Sequence, residues 1–214
     1  MTYLQLVNNV LRRMREEEVG SVQANTYSKM VGDFVNDAKS IIEDSWDWSA
    51  LRTTLVIPAE DSVYTYALTG SQDKFKLLDV INDTSNVFME YRPSSWFRDK
   101  FYNNPVVSGA PLYYTFNGVD GSGDTQIDVY PVPDDDYSIR VACVVKKDLL
   151  SADSDTLYIP AMPVIHMTIA LLTRERGETG GTSTAEYFAI ADKHLSDAIA
   201  LDAAKHPEET VWYS

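Results

Sequence analysis

The fold is decided where residues 41–57 read Ile-Ile-Glu-Asp-Ser-Trp-Asp-Trp-Ser-Ala-Leu-Arg-Thr-Thr-Leu-Val-Ile. Before this stretch, apolar residues recur at helical spacing, whereas from Arg52 to Leu150 they alternate with a period of two. Trp46 and Trp48 stand one residue apart and cannot share a helical face, so the chain must turn extended here. We expect both indoles to be buried at a junction between helices and sheet, because tryptophan is a large apolar side chain.

Two helices are predicted before the tryptophans. Residues 2–18 open with a capping box formed by Thr2 and Gln5. A second helix is predicted from Asn25, as N-cap, to Ser45. Its predicted apolar stripe comprises Tyr27, Met30, Phe34, Ala38, Ile41 and Ile42, and its predicted solvated face comprises Asn36, Lys39 and Glu43.

The middle of the chain is rich in aromatic and β-branched residues and is divided by Asp, Gly and Pro clusters. About seven strands are expected, mostly antiparallel because the breaks between them have hairpin length. They are predicted at 54–57, 63–68, 77–81, 87–91, 112–116, 127–130 and 137–141. Between two of them lies a connection of roughly twenty residues, long enough to be a functional loop. In it, Ser94 or Ser95 is predicted to cap a short helix containing Trp96 and Phe97.

Helical spacing returns after residue 156. Pro163 suits the first turn of a helix that reaches Arg176 and is apolar nearly all round, which predicts a buried central helix. Ser183 and Glu186 form another capping box at the start of a last helix, which Pro207 ends at the latest.

These patterns predict an α+β fold. We expect helices in the N- and C-terminal parts of the chain and a mostly antiparallel β-rich part between them. The helical parts are assigned to residues 1–50 and 157–204, the β-rich part to residues 51–156, and a C-terminal tail to residues 205–214.

Composition excludes several classes of protein. The 214 residues carry a net charge of −14, and the only basic pairs are 12–13 and 146–147. Sequence-specific DNA binding is not expected, because it requires clustered Lys and Arg that displace counterions. The single cysteine, Cys143, excludes a disulfide framework within the chain and a cysteine-rich zinc site. The sequence shows no secretory signal and no apolar stretch of the ~20 residues that span a bilayer, so we expect an intracellular or particle-borne protein without a membrane segment.

No residue pattern supports catalysis. His194 and His206 are too far apart to share an i, i+4 metal-binding face, His166 is predicted to be a core histidine, and Cys143 has no histidine partner at a recognisable spacing. The loop 118–124 lacks the Lys of a phosphate-binding loop and the Gly and Glu positions of a calcium loop, which favours a β-hairpin turn. The run 134–136 is predicted to be a solvated hairpin tip. We expect no enzyme activity, no cofactor and no metal.

Several short stretches occur in the order found in a known family. They are Trp46-Asp47-Trp48-Ser49, Ser108-Gly109-Ala110-Pro111-Leu112-Tyr113-Tyr114, Ile127–Pro133, Tyr137–Val141 and Leu150-Ser151-Ala152-Asp153-Ser154-Asp155. Together they resemble the adaptor proteins that join the capsid portal to the tail in tailed bacteriophages, including tail tubular protein A of short-tailed phages. In that family a Gly-x-Pro-x-Tyr strand leads to a strand ending in Pro-x-Pro, and then to a strand before Leu-Ser-x-x-x-Asp. The strands between Arg52 and Tyr91 are less diagnostic and leave the subfamily open.

The resemblance implies a fold, an assembly and a location. The fold is a helical bundle built from the N- and C-terminal helices, with a mostly antiparallel β-rich insertion. The resemblance also implies a ring, dodecameric in form, below the portal protein, which extends the DNA channel, helps to retain packaged DNA and docks the downstream tail or nozzle protein. It places the protein in the neck region of the virion, and in the host cytoplasm during assembly. The acidic composition suits such a conduit, because a negative wall lets DNA slide through the lumen without sequence-specific binding.

Five residues are the candidate partner-binding positions. Val211, Trp212 and Tyr213 end a tail that leaves the last helix, and their apolar area is unfavourable in water. Similar adaptors contact the portal through a C-terminal arm, and the alternative is that Trp212 folds back on its own subunit. Trp96 and Phe97 in the long loop complete the set. The alternative function is a virion receptor- or carbohydrate-binding module, in which exposed aromatic rings on strands would serve as stacking platforms.

Overall fold

The computed structural model describes residues 1–71, 75–175 and 182–205, with side chains described from residue 184 onward in the last range. The chain divides into two compact units. The helical unit contains residues 1–51 and the described residues from 147 onward, and the β-rich unit contains residues 52–146. The β-rich unit therefore ends before the predicted boundary at residue 156, and residues 147–156 belong to the helical unit.

Five α-helices and eight strands are found in the described part of the chain, so the mixed α+β class is confirmed. The helices are α1 (Tyr3–Arg13), α2 (Thr26–Ser45), α3 (Ser94–Arg98), α4 (Ala161–Glu175) and α5 (Thr182–Ala203). The strands are β1 (Arg52–Ala59), β2 (Thr65–Ala67), β3 (Phe75–Asn82), β4 (Val87–Phe88), β5 (Glu90–Tyr91), β6 (Tyr113–Val119), β7 (Thr125–Tyr130) and β8 (Tyr137–Val145).

Helix α1 begins as predicted and ends early. The Thr2–Gln5 capping box is present, since the Gln5 amide donates to Thr2 Oγ1 and the Thr2 amide donates to Gln5 Oε1. The prediction that this helix reaches residue 18 is wrong, because it ends at Arg13. The side chain of Asn8 hydrogen-bonds both the amide and the carbonyl of Val19, at 2.9 and 3.0 Å, which holds residues 14–19 back against the helix.

Helix α2 starts at the predicted N-cap, where Asn25 Oδ1 accepts from the Ser28 amide at 2.8 Å. Its buried face, however, differs from the predicted stripe. Ile41 is 43% exposed, whereas Lys39 and Glu43, which were placed on the solvated face, are buried. The two charges form an ion pair with each other, and hydropathy periodicity cannot register such a pair.

The Leu150–Asp155 segment forms a loop that organises the start of α1. The Asp155 carboxylate accepts from the backbone amides three and four residues earlier, at 2.8 and 2.7 Å. These hydrogen bonds lower the pKa of Asp155 below its ordinary value. The Asp155 and Asp153 carbonyls accept from the free first-turn amides of Tyr3 and Leu4, at 2.8 and 3.2 Å.

Helix α4 is the buried helix that the sequence predicts. It begins at Ala161, contains Pro163 in its first turn and buries ten of its residues. It contacts α1, α2 and α5. The predicted capping box of α5 involves Ser183, whose side chain lies outside the described residues, as does Pro207.

Two four-stranded sheets build the β-rich unit. The first sheet has the order β1-β8-β3-β4, and the second has the order β2-β7-β6-β5. All pairs are antiparallel except β5 with β6, which are parallel. Residues from both sheets pack into one core, which is formed by Ile57, Ala59, Leu68, Val80, Met89, Tyr114, Ile127, Val129, Ile139 and Val141.

The two loops with acidic residues differ in kind. Residues 120–124 join β6 to β7 in the predicted hairpin, and Asp120 Oδ1 accepts from the Ser122 and Asp124 amides at 2.8 and 2.9 Å. Residues 134–136 are exposed as predicted, but they do not form a hairpin tip. They connect β7 in the second sheet to β8 in the first, and these two strands do not pair with each other.

Candidate functional site

The motifs of the bacteriophage resemblance in the β-rich unit hold adjacent segments together. The Gly109 amide donates to the Val132 carbonyl at 2.9 Å, and the Leu112 amide donates to the Tyr130 carbonyl at 3.0 Å. The Asn82 side chain donates to the Pro111 carbonyl at 3.2 Å. The Gly-x-Pro-x-Tyr and Pro-x-Pro stretches therefore lie side by side and position the entry to β6.

Helix α3 carries two of the predicted partner-binding residues and packs on the outer face of the second sheet. The Trp96 ring lies 5.0 Å from the Tyr113 ring and 5.4 Å from the Tyr130 ring, measured between centroids. Phe97 is 3% exposed and packs beside Tyr130. Trp96 is half-buried, and Lys100 Nζ lies 5.5 Å above its ring, which gives a cation–π contact.

The predicted cap of this helix is wrong. Helix α3 begins at Ser94 itself, after Pro93, and no side chain caps it. A π-helical turn, Asp99–Asn103, follows directly and carries Phe101 and Tyr102. The Phe101 ring lies 4.7 Å from the Tyr64 ring, measured between centroids, so the turn extends the aromatic cluster toward strand β2.

A cleft of about 460 Å³ opens beside this aromatic cluster. Its walls are aromatic, its floor is the outer face of β6 and β7, and Arg98 adds one cation. The lining residues are Tyr64, Ser94, Phe97, Arg98, Phe101, Tyr102, Thr115, Phe116, Asn117 and Asp128.

Polar groups converge on the floor of the cleft. Asp128 Oδ1 accepts from Thr65 Oγ1 at 2.7 Å and from Asn117 Nδ2 at 3.2 Å. Both hydrogen bonds fall on one oxygen, which leaves Oδ2 able to accept from another donor. Thr115 is 2% exposed, and its hydroxyl has no hydrogen-bond partner among the described residues.

Exposed apolar side chains are concentrated on the β-rich unit. Tyr102 is 83% exposed, Phe88 68% and Tyr91 55%. Phe88 lies on the short edge strand β4, and Tyr91 lies on the short edge strand β5. Contiguous exposed apolar area on a protein commonly marks an interaction surface.

Asp202 ties the end of α5 to the turn after α2. Its carboxylate accepts from Trp46 Nε1 at 3.2 Å, from the Ser49 amide at 2.8 Å and from Lys205 Nζ at 2.8 Å. Burial alone raises the pKa of Asp202, but the hydrogen bonds from Lys205 and Ser49 outweigh it and hold the pKa at about 2. Trp48, by contrast, is 1% exposed and donates its indole N–H to the Ile42 carbonyl at 2.8 Å.

The Lys39–Glu43 pair lies inside the helical unit. Lys39 Nζ is 2.9 Å from Glu43 Oε2 and 2.7 Å from the carbonyl of Lys147. Both side chains are 2% exposed. The ammonium group therefore bridges α2 to the start of the loop that leads to α4.

Two histidines that are distant in sequence meet in the helical unit. The His166 and His194 rings stack at 4.3 Å, and Arg13 Nη1 lies 2.9 Å from His166 Nε2. An arginine only donates, so His166 Nε2 accepts and the ring is neutral. Burial, His194 and Arg13 all lower the pKa of His166. His166 is hydrogen-bonded but only half-buried, so its prediction as a core histidine is wrong, and no local spacing in the sequence indicates the partner ring.

The remaining predicted positions lie partly within and partly outside the described residues. Cys143 is buried in β8, and burial raises the pKa of its thiol. Val211, Trp212, Tyr213 and His206 lie outside the described residues. Across residues 1–71, 75–175 and 182–205, no cluster of three or more His, Cys, Asp or Glu side chains could hold a metal ion. Within those same ranges, no helix has the length and apolar character needed to cross a bilayer.

Comparison with known proteins decides the family. A family model described as SU10 adaptor protein matches residues 1–208 of the chain. The chain belongs to the SU10 adaptor protein family. No curated protein matches the sequence. Membership in the SU10 adaptor family confirms the resemblance to bacteriophage head-to-tail adaptors and supports a structural connector role. The narrower similarity to tail tubular protein A stays a prediction.

Proposed function

We propose that this protein assembles into a ring, dodecameric in form, below the portal of a tailed bacteriophage. The ring extends the DNA channel, helps to retain the packaged genome and docks the downstream tail or nozzle protein. Assembly takes place in the host cytoplasm, and the mature protein lies in the neck of the virion. The observation that carries this proposal is the match of the SU10 adaptor family over residues 1–208.

The charge of the chain supports the conduit part of the proposal. A net charge of −14 repeated around a ring gives a strongly negative assembly. A basic lumen would retain DNA through counterion release, whereas a negative lumen lets the duplex move. The same argument accounts for passage of DNA without sequence-specific binding.

Two sets of residues are proposed to meet partners. The first is the C-terminal tail, with Val211, Trp212 and Tyr213 docking on the portal or on a neighbouring subunit. The second is the α3 region, where Trp96 is half-buried and packs edge-on against the buried Phe97 ring, with centroids 5.4 Å apart. Large aromatic side chains at such positions are typical anchors of protein interfaces.

The experiment is a binding assay with portal rings from the same phage. We expect the full-length protein to shift the mass of portal particles by an integral number of subunits in mass photometry. Deletion of residues 208–214 should abolish this shift and leave the melting temperature of the adaptor unchanged. A truncated protein that decorates portals with unchanged affinity contradicts the tail proposal, and one that unfolds assigns the tail to its own subunit.

The alternative is a receptor- or carbohydrate-binding module that is not part of the neck. The aromatic cleft beside α3 is the specific observation that favours it. The two functions differ in assembly, because a separate binding module needs neither a ring nor the portal. A protein that leaves portal particles unshifted at saturating concentration would favour the alternative.

A further inference from the structure

The cleft beside α3 contains a polar atom that the fold leaves without a partner. Thr115 is 2% exposed, and no group in the described parts of the chain hydrogen-bonds its hydroxyl. A buried polar atom without a partner costs free energy of folding, and such atoms are uncommon in native structures. Its neighbour Tyr114 points into the core between the sheets, so Thr115 lies on the opposite face of β6, where it lines the cleft.

The surrounding polar groups are complementary to hydroxyl groups. Asp128 Oδ2 can accept a hydrogen bond, because both described bonds to this carboxylate fall on Oδ1. Arg98 and Ser94 at the rim can donate, and the hydroxyl of Thr115 can do either. One acceptor, several donors and a hydroxyl suit a neutral ligand with many hydroxyl groups.

The aromatic walls of the cleft can supply apolar contacts to the same ligand. The Tyr64 and Phe101 rings contact each other, with centroids 4.7 Å apart, and Tyr102, which also lines the cleft, is 83% exposed. A pyranose ring has one face lined with C–H groups, which can pack on an aromatic face while the hydroxyl groups remain free for hydrogen bonds. The volume of about 460 Å³ lies within the range of small-molecule sites.

We propose that this cleft binds a saccharide, with one pyranose ring stacked on the aromatic wall and its hydroxyl groups bonded to Thr115 and Asp128. A polyanionic ligand is disfavoured, because the chain carries a net charge of −14 and the floor of the cleft is itself a carboxylate. The site adds glycan binding to the adaptor and does not depend on the ring assembly.

The proposal predicts that Thr115→Val weakens sugar binding without lowering the stability of the protein. Valine has nearly the shape of threonine and lacks the hydroxyl, so it removes an unpartnered polar atom from the fold and a hydrogen bond from the complex. The melting temperature should therefore stay the same or rise, while affinity for the sugar falls about tenfold. Tyr102→Ala, at an exposed position, should weaken binding several-fold without loss of stability. Thr54→Val is the matched control, because Thr54 is exposed on β1 of the other sheet.

The test is saturation-transfer NMR on the full chain with methyl glucopyranoside, methyl galactopyranoside, methyl mannopyranoside and N-acetylglucosamine as probes. We expect transfer to the ring protons of at least one probe, reduced in T115V and Y102A and unchanged in T54V. Absence of transfer to every probe overturns the proposal, as does transfer that T115V leaves unchanged. A lower melting temperature of T115V overturns it too, because the hydroxyl would then be bonded within the fold. Transfer only to a Val-Trp-Tyr-Ser peptide would assign the cleft to an aromatic protein segment instead.

Discussion

The two units of this protein use their polar side chains differently. In the helical unit, charged groups are buried where they join one segment to another, as Lys39 does between α2 and the Lys147 carbonyl and Asp202 does between α5 and Ser49. In the β-rich unit, polar groups collect on the floor of an open cleft, and the buried Thr115 hydroxyl there has no hydrogen-bond partner in the described parts of the chain. Large exposed aromatic side chains, such as Phe88 and Tyr102, also lie in the β-rich unit.

This difference indicates a division of roles. Buried charges that hydrogen-bond distant backbone groups specify one arrangement of the segments they join, which suits a scaffold. An open cleft with unused hydrogen-bonding capacity and exposed aromatic rings suits recognition. We therefore expect substitutions in the helical unit to change stability and substitutions around the cleft to change binding.

The largest expected effect would be produced by removing the most buried indole of the helical unit. Trp48→Ala should lower the free energy of unfolding by about 3–5 kcal/mol, because it leaves a large cavity and removes the indole hydrogen bond to the Ile42 carbonyl, which keeps the Ser45 hydroxyl as a side-chain donor. Trp46→Ala, at a half-buried position, should cost clearly less and serves as the control. Chemical denaturation monitored by circular dichroism measures both. Equal losses for the two variants would show that the indoles are equivalent, contrary to their burial.

The buried ion pair between Lys39 and Glu43 allows a second test of the stability of the helical unit. Lys39→Met should cost about 3–5 kcal/mol, because it leaves the Glu43 carboxylate buried without its cation. The double variant Lys39→Met with Glu43→Leu should recover most of this loss, since hydrophobic replacement of a buried pair is often neutral. Urea titration of the wild type and the two variants measures the recovery. A double variant that is less stable than Lys39→Met would mean that Glu43 contributes through contacts other than the ion pair.

A smaller effect is expected at Asp202, and it depends on pH. Asp202→Asn should lower stability by about 1.5–3 kcal/mol at pH 7, because the charge-assisted hydrogen bonds from Lys205 and Ser49 weaken. The pKa of Asp202 falls from 3.8 to about 2 on folding, so its contribution is complete above pH 4 and disappears as the pH falls toward 2. Melting curves between pH 7 and pH 2 should therefore converge for the two proteins. A constant difference across this range would exclude ionisation of Asp202 as the cause.

The smallest effect is expected at the exposed acidic connection between the sheets. Replacing Asp134, Asp135 and Asp136 together by Asn should change stability by no more than about 0.5 kcal/mol, because exposed charges contribute little. The hydrogen bond from the Tyr137 hydroxyl to Asp134 Oδ1 can be kept by the amide oxygen of Asn. Thermal unfolding measures the change. Loss of cooperative unfolding in this variant would show that the connection has a structural role that its exposure conceals.

Local signals in the sequence were sufficient for the starts of α1 and α2 and for the buried helix α4. Thr2 and Gln5 predicted the start of α1, Asn25 predicted the start of α2, and the apolar run after Pro163 predicted α4. Each of these signals involves only a few neighbouring residues, so apolar periodicity and capping residues are enough to recognise it. The same reasoning placed Lys39 and Glu43 in solvent, because a charge is interpreted as exposed unless its partner is known.

The cleft and the sheet order could not be predicted, because both depend on pairing between distant segments. The sequence singled out Trp96 and Phe97, but Thr115, Asn117 and Asp128 became candidates only when β6 and β7 were paired under α3. Likewise, the strands on either side of residues 134–136 resemble a hairpin in the sequence. In the structure they belong to different sheets, because β8 pairs with β1 and β3. The stacking of His166 on His194 joins two helices in the same way, and no local spacing reports it.

The central claim is that this chain is the connector between portal and tail, and cryo-electron microscopy of the protein mixed with portal rings from the same phage tests it most directly. We predict a continuous ring of adaptor density, coaxial with the portal and enclosing an open channel. Portal particles without added density, or with single adaptor copies bound away from the axis, would contradict the claim.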